Sequence, residues 1–332
     1  MFGSEFDVPD GYLDTASVGV PSVAAADAVA AAVQGWRTAA GRPPDFDGPV
    51  ALAREAYGRL VGFPADRVAI GSTVSGMLGM VAASLPTGSR VLVARGDFTS
   101  VTWPFAARST LVEVELGELG ERAAECDVVA VSVVQSADGR IVDLDALRAA
   151  RATGTRVVLD ATQATGWLDA DLSWADVVVC GGYKWLLSPR GVAWMAVRAD
   201  LDLVAGQAGW YAGDDPWTSV YGLPLRLATD ARAYDTSPAW YSQVGAAVAL
   251  PWLAGLDRAA VHAHCAGLAD TFRKGLGMEP AGSAIVAVTR AGAAERLEAA
   301  GVTAAVRAGA VRLAFHLYSD ETDVARALNA LT

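Results

Sequence analysis

The chain has 332 residues, of which 53% are hydrophobic and 19% are charged, and its formal net charge at pH 7 is −11. This length supports one large hydrophobic core and a second, smaller one. An acidic chain without a basic cluster argues against nucleic acids or anionic membranes as partners. The three scattered cysteines match neither a disulfide framework nor a zinc site, and no apolar signal segment begins the chain. We therefore expect a cytoplasmic protein with no metal and no membrane span.

The first two thirds of the sequence alternates helical and strand-like patterns. Alanine content and apolar spacing predict helices over 24–38 and 50–61. In chain order there follow a strand over 67–70, a helix over 75–84, strands over 90–94, 111–114 and 128–134, a helix over 144–153, and strands over 156–160, 176–180 and 192–197. Short apolar strands separated by helices are typical of βαβ units. The sequence therefore predicts an α/β fold with a mostly parallel sheet covered on both faces.

The pattern changes after residue 210. A long predicted helix over 240–253 leads into a C-terminal lobe. That lobe is expected to contain a helix over 261–275, a strand over 284–288, a helix over 293–300, a strand over 310–315 and a last helix from 321. Reactive groups in a parallel sheet gather at the carboxyl ends of the strands, so we expect the site there.

Lys184 is the most distinctive single residue, because the chain has only one other lysine, Lys274. It lies just after a predicted buried strand, where an apolar setting lowers the pKa of an amine and favours Schiff-base formation. Taken alone, the same position also suits a lysine that extends its ammonium group from a strand end to solvent.

Three further features lie at predicted strand ends. Asp160 is placed to pair with the protonated ring nitrogen of an aromatic cofactor. Alternatively, it could cap a helix that follows the strand. The turn Gly71-Ser72-Thr73 precedes a helix and could seat a phosphate, although such turns are common in α/β proteins. Phe98 could stack on a cofactor ring or pack in the core.

The chain resembles the class V aminotransferase family, a group of fold-type I enzymes that use pyridoxal 5′-phosphate (PLP). Members include cysteine desulfurases, kynureninase, isopenicillin N epimerase-like proteins and the ergothioneine sulfoxide lyase. The resemblance extends over nearly the whole chain. It rests on the order and spacing of Tyr12-Leu-Asp-Thr-Ala16, Gly71-Ser-Thr-Val-Ser75, Ser132-Val-Val-Gln-Ser136, Asp160-Ala-Thr-Gln163, Tyr183-Lys-Trp185 and Val311-Arg-Leu-Ala-Phe-His-Leu-Tyr318.

This resemblance implies a role for each matching residue. Lys184 would carry the cofactor as an internal aldimine, and Asp160 would pair with the pyridine nitrogen. Arg312 would bind the substrate α-carboxylate, unless it forms only a surface ion pair. The other cofactor-binding residues implied are Ser72, Thr73, Phe98, Gln135, Gln163, Tyr183 and Ser237. Ser237 lies where the family reaches the phosphate of a neighbouring subunit, which implies a homodimer with shared active sites.

The resemblance also implies that the chain is divided into three parts. Residues 1–20 would form an N-terminal segment that contributes to the active site, residues 21–240 a large PLP-binding domain, and residues 241–332 a small C-terminal domain.

The sequence departs from the family pattern at informative positions. Gly181 stands where many relatives have a phosphate-binding serine, and Val133 replaces a residue that is commonly polar. No cysteine lies between Ala281 and Val311, where desulfurases carry their persulfide cysteine, so a persulfide mechanism is not expected.

Several reactions on an α-amino acid remain open. We expect transamination of a small or modified amino acid, with β-eliminating C–S lyase activity as the nearest alternative and racemisation behind it. A PLP-fold protein without catalytic activity is disfavoured because Lys184, Asp160 and Arg312 are all present. A nicotinamide dehydrogenase would need a G-x-G-x-x-G turn, which Gly71-Ser-Thr-Val-Ser-Gly76 does not provide.

Overall fold

A seven-stranded sheet organises the computed structural model, which describes residues 2–332. Its strands are β1 (Val68–Gly71), β2 (Arg90–Ala94), β3 (Thr110–Val114), β4 (Val128–Ser132), β5 (Arg156–Asp160), β6 (Val177–Gly181) and β7 (Ala193–Val197). Across the sheet the order is β1-β7-β6-β5-β4-β2-β3. Only β7 runs antiparallel to its neighbours β1 and β6, and the other pairs are parallel. The predicted mostly parallel sheet is confirmed.

Helices cover both faces of this sheet. They are α1 (Val23–Arg37), α2 (Asp47–Val61), α3 (Val74–Ala83), α4 (Thr99–Ala106), α5 (Leu119–Arg122), α6 (Leu144–Ala152) and α7 (Trp240–Ala254). Alternate residues of β4 enter different cores: Val129 and Val131 face one, and Val128 and Ala130 face the other. Because both faces of the strand are buried, nearly all of its residues are apolar, as the sequence pattern predicted.

A second sheet forms the C-terminal part of the chain. Its strands are β8 (Ile285–Val288), β9 (Ala305–Arg307) and β10 (Ala310–Ala314), in the order β8-β10-β9 and antiparallel throughout. The helices α8 (Arg258–Gly275), α9 (Ala293–Ala299) and α10 (Glu321–Leu331) complete this part. Phe272, Leu313 and Phe315 lie in its separate hydrophobic core.

The N-terminal segment joins the two sheets. Asp14 forms a parallel bridge with Ala314 on the small sheet, and the Gly19 N–H donates to the Tyr183 carbonyl beside the large one, at 2.9 Å. A Cβ atom on Gly19 would lie 1.9 Å from the Lys184 carbonyl oxygen, so only glycine permits this approach. The segment therefore lies directly against the backbone of Lys184.

Three of the helices and strands were not predicted, namely α4, the four-residue helix α5 and β9. α4 is rich in β-branched residues and contains Pro104, both of which lower helix propensity. β9 has only three residues and is defined by its pairing with β10. α4 and β9 have no strong local signal in the sequence, because tertiary contacts hold both in place.

Within residues 2–332, no single helix has the length and apolar content needed to cross a membrane. By length and composition alone, one pair of consecutive helices meets the criteria together, Trp240–Ala254 and Arg258–Gly275, and the chain bends by 96° between them.

Candidate active site

A cavity of about 130 Å³ opens at the carboxyl ends of the parallel strands. Its wall contains residues from five strand ends and from the starts of α3 and α4. The lining residues are Ser72, Thr73, Val74, Ser75, Phe98, Ser100, Ser132, Ser136, Asp160, Thr162, Gln163, Gly181, Tyr183, Lys184, Arg190 and Val192. Most of the residues implied by the sequence motifs therefore meet at one place.

Lys184 lies in this wall, just after β6, and its side chain is buried. Its Nζ atom is 5.4 Å from the centroid of the Phe98 ring and 5.6 Å from that of Tyr183. Burial lowers the pKa of Lys184 to about 8, against the attraction of Asp160, and the positive charge of Arg312 lowers it further. About a tenth of the amine is therefore uncharged and nucleophilic at pH 7, far more than for a lysine in solvent.

Asp160 ends β5 and is buried at the floor of the cavity. Its Oδ1 accepts a hydrogen bond from the Thr162 N–H at 2.8 Å. Burial raises the pKa of Asp160 to about 6, against the opposing effects of Thr162 and Lys184. No α-helix begins directly after Asp160, so the alternative prediction that it caps a following helix is wrong.

Ser72 and Thr73 stand at the start of α3, with exposed side chains. The Thr73 hydroxyl oxygen accepts a hydrogen bond from the Gly76 N–H at 3.1 Å and so caps the helix. A helix N-terminus carries partial positive charge, and this one faces the cavity.

Phe98 is held against the cavity by a short network. Asp97 accepts hydrogen bonds from the Phe98 N–H at 2.6 Å and from the Ser132 hydroxyl at 2.6 Å. The exposed fraction of Phe98 is 45%, so it is not a core aromatic and its ring is available to a ligand. On the other side of the cavity, the Arg190 guanidinium lies 4.7 Å from the centroid of the Tyr183 ring.

Gln163 has every hydrogen-bonding group of its amide engaged. Its Nε2 donates to the Ala16 carbonyl at 3.1 Å and to Ser136 Oγ at 3.0 Å, and its Oε1 accepts from Trp185 Nε1 at 2.7 Å. The orientation of the amide is therefore fixed by the residue that follows Lys184 and by the N-terminal segment.

Arg312 lies behind Ser136 and is only 1% exposed, so it is not part of a surface ion pair. Its Nη1 donates to the Ser136 carbonyl at 2.7 Å, its Nη2 donates to Ser17 Oγ at 2.7 Å, and Asp14 lies 3.5 Å from Nη2. The guanidinium is fixed at the cavity edge by groups that a carboxylate could replace.

Two residues with implied cofactor roles lie outside the cavity wall. Gln135 is buried, and its amide donates to the Ser132 carbonyl at 3.2 Å. Ser237 is exposed on the surface of the chain.

Comparison with known proteins agrees with this geometry. Residues 109–293 match the model of the family described as aminotransferase class-V. The chain belongs to the class V aminotransferase family. This enzyme family uses PLP, so the protein is a PLP-dependent enzyme and the expected cofactor is confirmed.

Individual relatives show how far the likeness extends. The chain is 32% identical over 191 residues to isopenicillin N epimerase of Streptomyces clavuligerus, a match that spans 49% of this chain and 48% of that protein. It is 27% identical over 314 residues to the uncharacterized aminotransferase YcbU of Bacillus subtilis (strain 168), covering 84% and 82% of the two chains.

Solved structures share the fold at low identity. The cysteine desulfurase CsdA of Escherichia coli superposes with a TM-score of 0.82 at 18% identity, covering 98% of this chain and 96% of that one. The cystine C-S lyase C-DES, in complex with cysteine persulfide, gives 0.82 at 18% identity, with 98% and 97% covered. The predicted fold class is confirmed.

The class V site of this chain has the chemical groups that PLP requires. Lys184 offers a buried amine that makes no hydrogen bond with any part of residues 2–332, and Asp160 offers a buried carboxylate that forms no ion pair within those residues. The exposed face of Phe98 and the start of α3 would receive an aromatic ring and a phosphate.

Sequence reasoning did not assign roles to several residues that shape this site. Ser17, Ser136, Arg190 and Arg307 lie in irregular segments, at turns or in the unpredicted strand β9. Only the position of Ser136 after a predicted strand gave a local signal.

Proposed function

We propose that this enzyme catalyses transamination of a small or modified α-amino acid. The observation that supports it is that Lys184 and Asp160 line one cavity and that Arg312, from a distant part of the chain, contacts Ser136 in the wall of that cavity. The named relatives include an aminotransferase and an epimerase, and both activities require removal of the α-proton of an amino acid.

Each of these residues has a distinct task in the proposal. Arg312 binds the substrate α-carboxylate with its planar guanidinium. Lys184 holds the cofactor and then, once released, takes the α-proton on Nζ, for which a pKa of about 8 is well matched to neutral pH. Bound PLP supplies an electron sink for the charge that develops at Cα. Asp160 keeps the ring nitrogen protonated.

The cysteines do not support a reaction that carries sulfur on the protein. Cys126, Cys180 and Cys265 are all buried. Burial raises the pKa of the Cys180 and Cys265 thiols well above the usual range, so both remain protonated and weakly nucleophilic.

We also propose that the enzyme is a homodimer in which Ser237 reaches the phosphate of the neighbouring copy. In support, Ser237 is exposed and lies outside the cavity of its own chain. The preceding Asp235 is anchored by Arg54 at 2.6 Å and by the Ile70 N–H at 2.8 Å, so the segment has a fixed position.

A substrate screen tests the reaction. The PLP-loaded enzyme is incubated with amino acids and cysteine S-conjugates, with and without a 2-oxo acid acceptor. We expect turnover only with the acceptor, together with exchange of the α-hydrogen for solvent deuterium. Lys184→Ala should lose both, whereas Lys274→Ala, at the exposed second lysine, should retain them.

Other products would contradict transamination in specific ways. Release of pyruvate without an acceptor identifies a C–S lyase, and inversion at Cα without an acceptor identifies a racemase. Complete absence of α-hydrogen exchange across the panel rejects the proposed role of Lys184.

A further inference from the structure

The Ser17 hydroxyl accepts hydrogen bonds from two guanidinium groups. Arg312 Nη2 donates to it at 2.7 Å and Arg307 Nη2 at 3.1 Å. Two positive charges that converge on one hydroxyl repel each other unless an anion binds between them. This local cluster of positive charge contrasts with the net charge of −11 of the whole chain.

Arg307 has no assigned role in the proposed reaction. It is exposed on β9, where it pairs with Ala310 of β10. Its other hydrogen bond goes to the Val306 carbonyl at 2.8 Å, and no carboxylate within residues 2–332 forms an ion pair with it. Its charge nevertheless acts on the site: burial is the main cause that lowers the pKa of Lys184 and of Arg312, and the charge of Arg307 lowers both further.

Positive charge exceeds negative charge at this place, where the acceptor Asp14 Oδ1 is also buried without a hydrogen-bond partner. Ser17 Oγ uses its lone pairs on the two arginines, which leaves its O–H free to donate. Arg312 Nε is buried without a partner, and Asp14, 3.5 Å from Arg312, is the one carboxylate paired with either arginine within the described chain. One carboxylate does not balance two guanidinium groups.

The two arginines occupy different depths. Arg312 Nη1 contacts Ser136 in the cavity wall, and its Nη2 contacts Ser17. Arg307 approaches Ser17 as well but is itself exposed, so it lies at the outer rim. The adjacent Ala16 carbonyl bonds to Gln163, which places this rim next to the cavity. Because Arg312 Nη2 lies 2.7 Å and Arg307 Nη2 3.1 Å from the same Ser17 oxygen, the two guanidinium groups are close neighbours, and an amino acid held by Arg312 would bring an anionic group on a short side chain to Arg307.

We infer that Arg307 and Ser17 bind a second anionic group of the substrate, a carboxylate at the end of its side chain. The preferred substrate class is thus an α-amino dicarboxylic acid. This inference rests on the proposed function for the role of Arg312, and it assigns substrate specificity to a residue that takes no part in the chemistry of the lysine and its cofactor.

The test compares Arg307→Gln with Arg296→Gln in the PLP-loaded enzyme. Arg296 is a matched control, because it is exposed in the same part of the chain and donates only to backbone carbonyls. We expect Arg307→Gln to lower the ratio of kcat/KM for glutamate to kcat/KM for alanine by about tenfold or more, mostly through KM. Arg296→Gln should leave that ratio at its wild-type value.

A binding measurement separates this inference from the reaction itself. Calorimetric titration with glutarate and with butyrate should show tighter binding of glutarate, and Arg307→Gln should abolish the difference. If the wild-type enzyme binds glutarate more tightly than butyrate but turns over no amino acid, the anion site is supported and the proposed function is wrong. If both substrate classes lose kcat/KM equally in Arg307→Gln, Arg307 belongs to the α-carboxylate site and the inference is overturned.

Discussion

At the scale of single residues, Asp160 places function and stability in conflict. Its pKa rises from 3.8 to about 6 in the folded chain, so the folded state holds a proton that the unfolded state releases between these pH values. Stability therefore falls as the pH rises from 3.8 to 6 and stays reduced above it, by about 3 kcal/mol. Binding of a protonated ring nitrogen would offset this cost.

Asp160→Asn should therefore stabilise the protein without its cofactor while abolishing activity. Asparagine retains an acceptor for the Thr162 N–H but cannot carry the buried charge. Urea denaturation of the cofactor-free proteins should show Asp160→Asn to be more stable by about 1–3 kcal/mol at pH 8, with the difference shrinking towards pH 4. Equal stability at both pH values would show that Asp160 is not buried as a charged group.

The sequence indicated some site residues and not others for a physical reason. Asp160 ends one buried strand and Lys184 lies shortly after another, so the strand pattern alone places both at one edge of the sheet. Ser17 and Arg307 meet Arg312 through pairing between distant segments, and nothing local to either residue records that contact. Local patterns therefore predict the positions of Lys184 and Asp160 better than those of Ser17 and Arg307.

At the scale of elements, the N-terminal segment determines the position of both Ser17 and Ala16. It has no regular secondary structure, and it is held by the Asp14 bridge to β10 and by the Gly19 contact with Tyr183. The sequence resemblance suggested its role at the active site. Its path depends on the absence of a side chain at Gly19.

Gly19→Ala should therefore damage both stability and substrate binding. The added Cβ would overlap the Lys184 carbonyl at 1.9 Å and displace the segment. We expect a loss of several kcal/mol in the free energy of unfolding and a higher KM for amino acids. Gly35→Ala is the control, because no atom lies within 4 Å of its added Cβ in α1, where alanine adds about 0.5–1 kcal/mol of stability. Similar melting temperatures for the two variants would contradict this account.

At the scale of the whole molecule, apolar residues on the surface support the proposed dimer. Tyr221 and Leu225 are 88% and 72% exposed, which is costly for side chains of this size unless another surface covers them. They lie in the same long connection between β7 and α7 as Ser237. A dimer formed through this connection would bury these residues and bring Ser237 towards a neighbouring phosphate site.

Two variants separate assembly from phosphate binding. Leu225→Asp should convert the dimer to a monomer in light-scattering chromatography and weaken PLP binding at the same time, because a buried charge opposes association. Ser237→Ala should leave the dimer intact and raise only the dissociation constant for PLP, since it removes one hydrogen bond to the phosphate. A shared site would be excluded if the wild-type protein is a monomer and its dissociation constant for PLP equals that of Ser237→Ala. A dimer that persists in Leu225→Asp would instead place the interface on another face of the molecule.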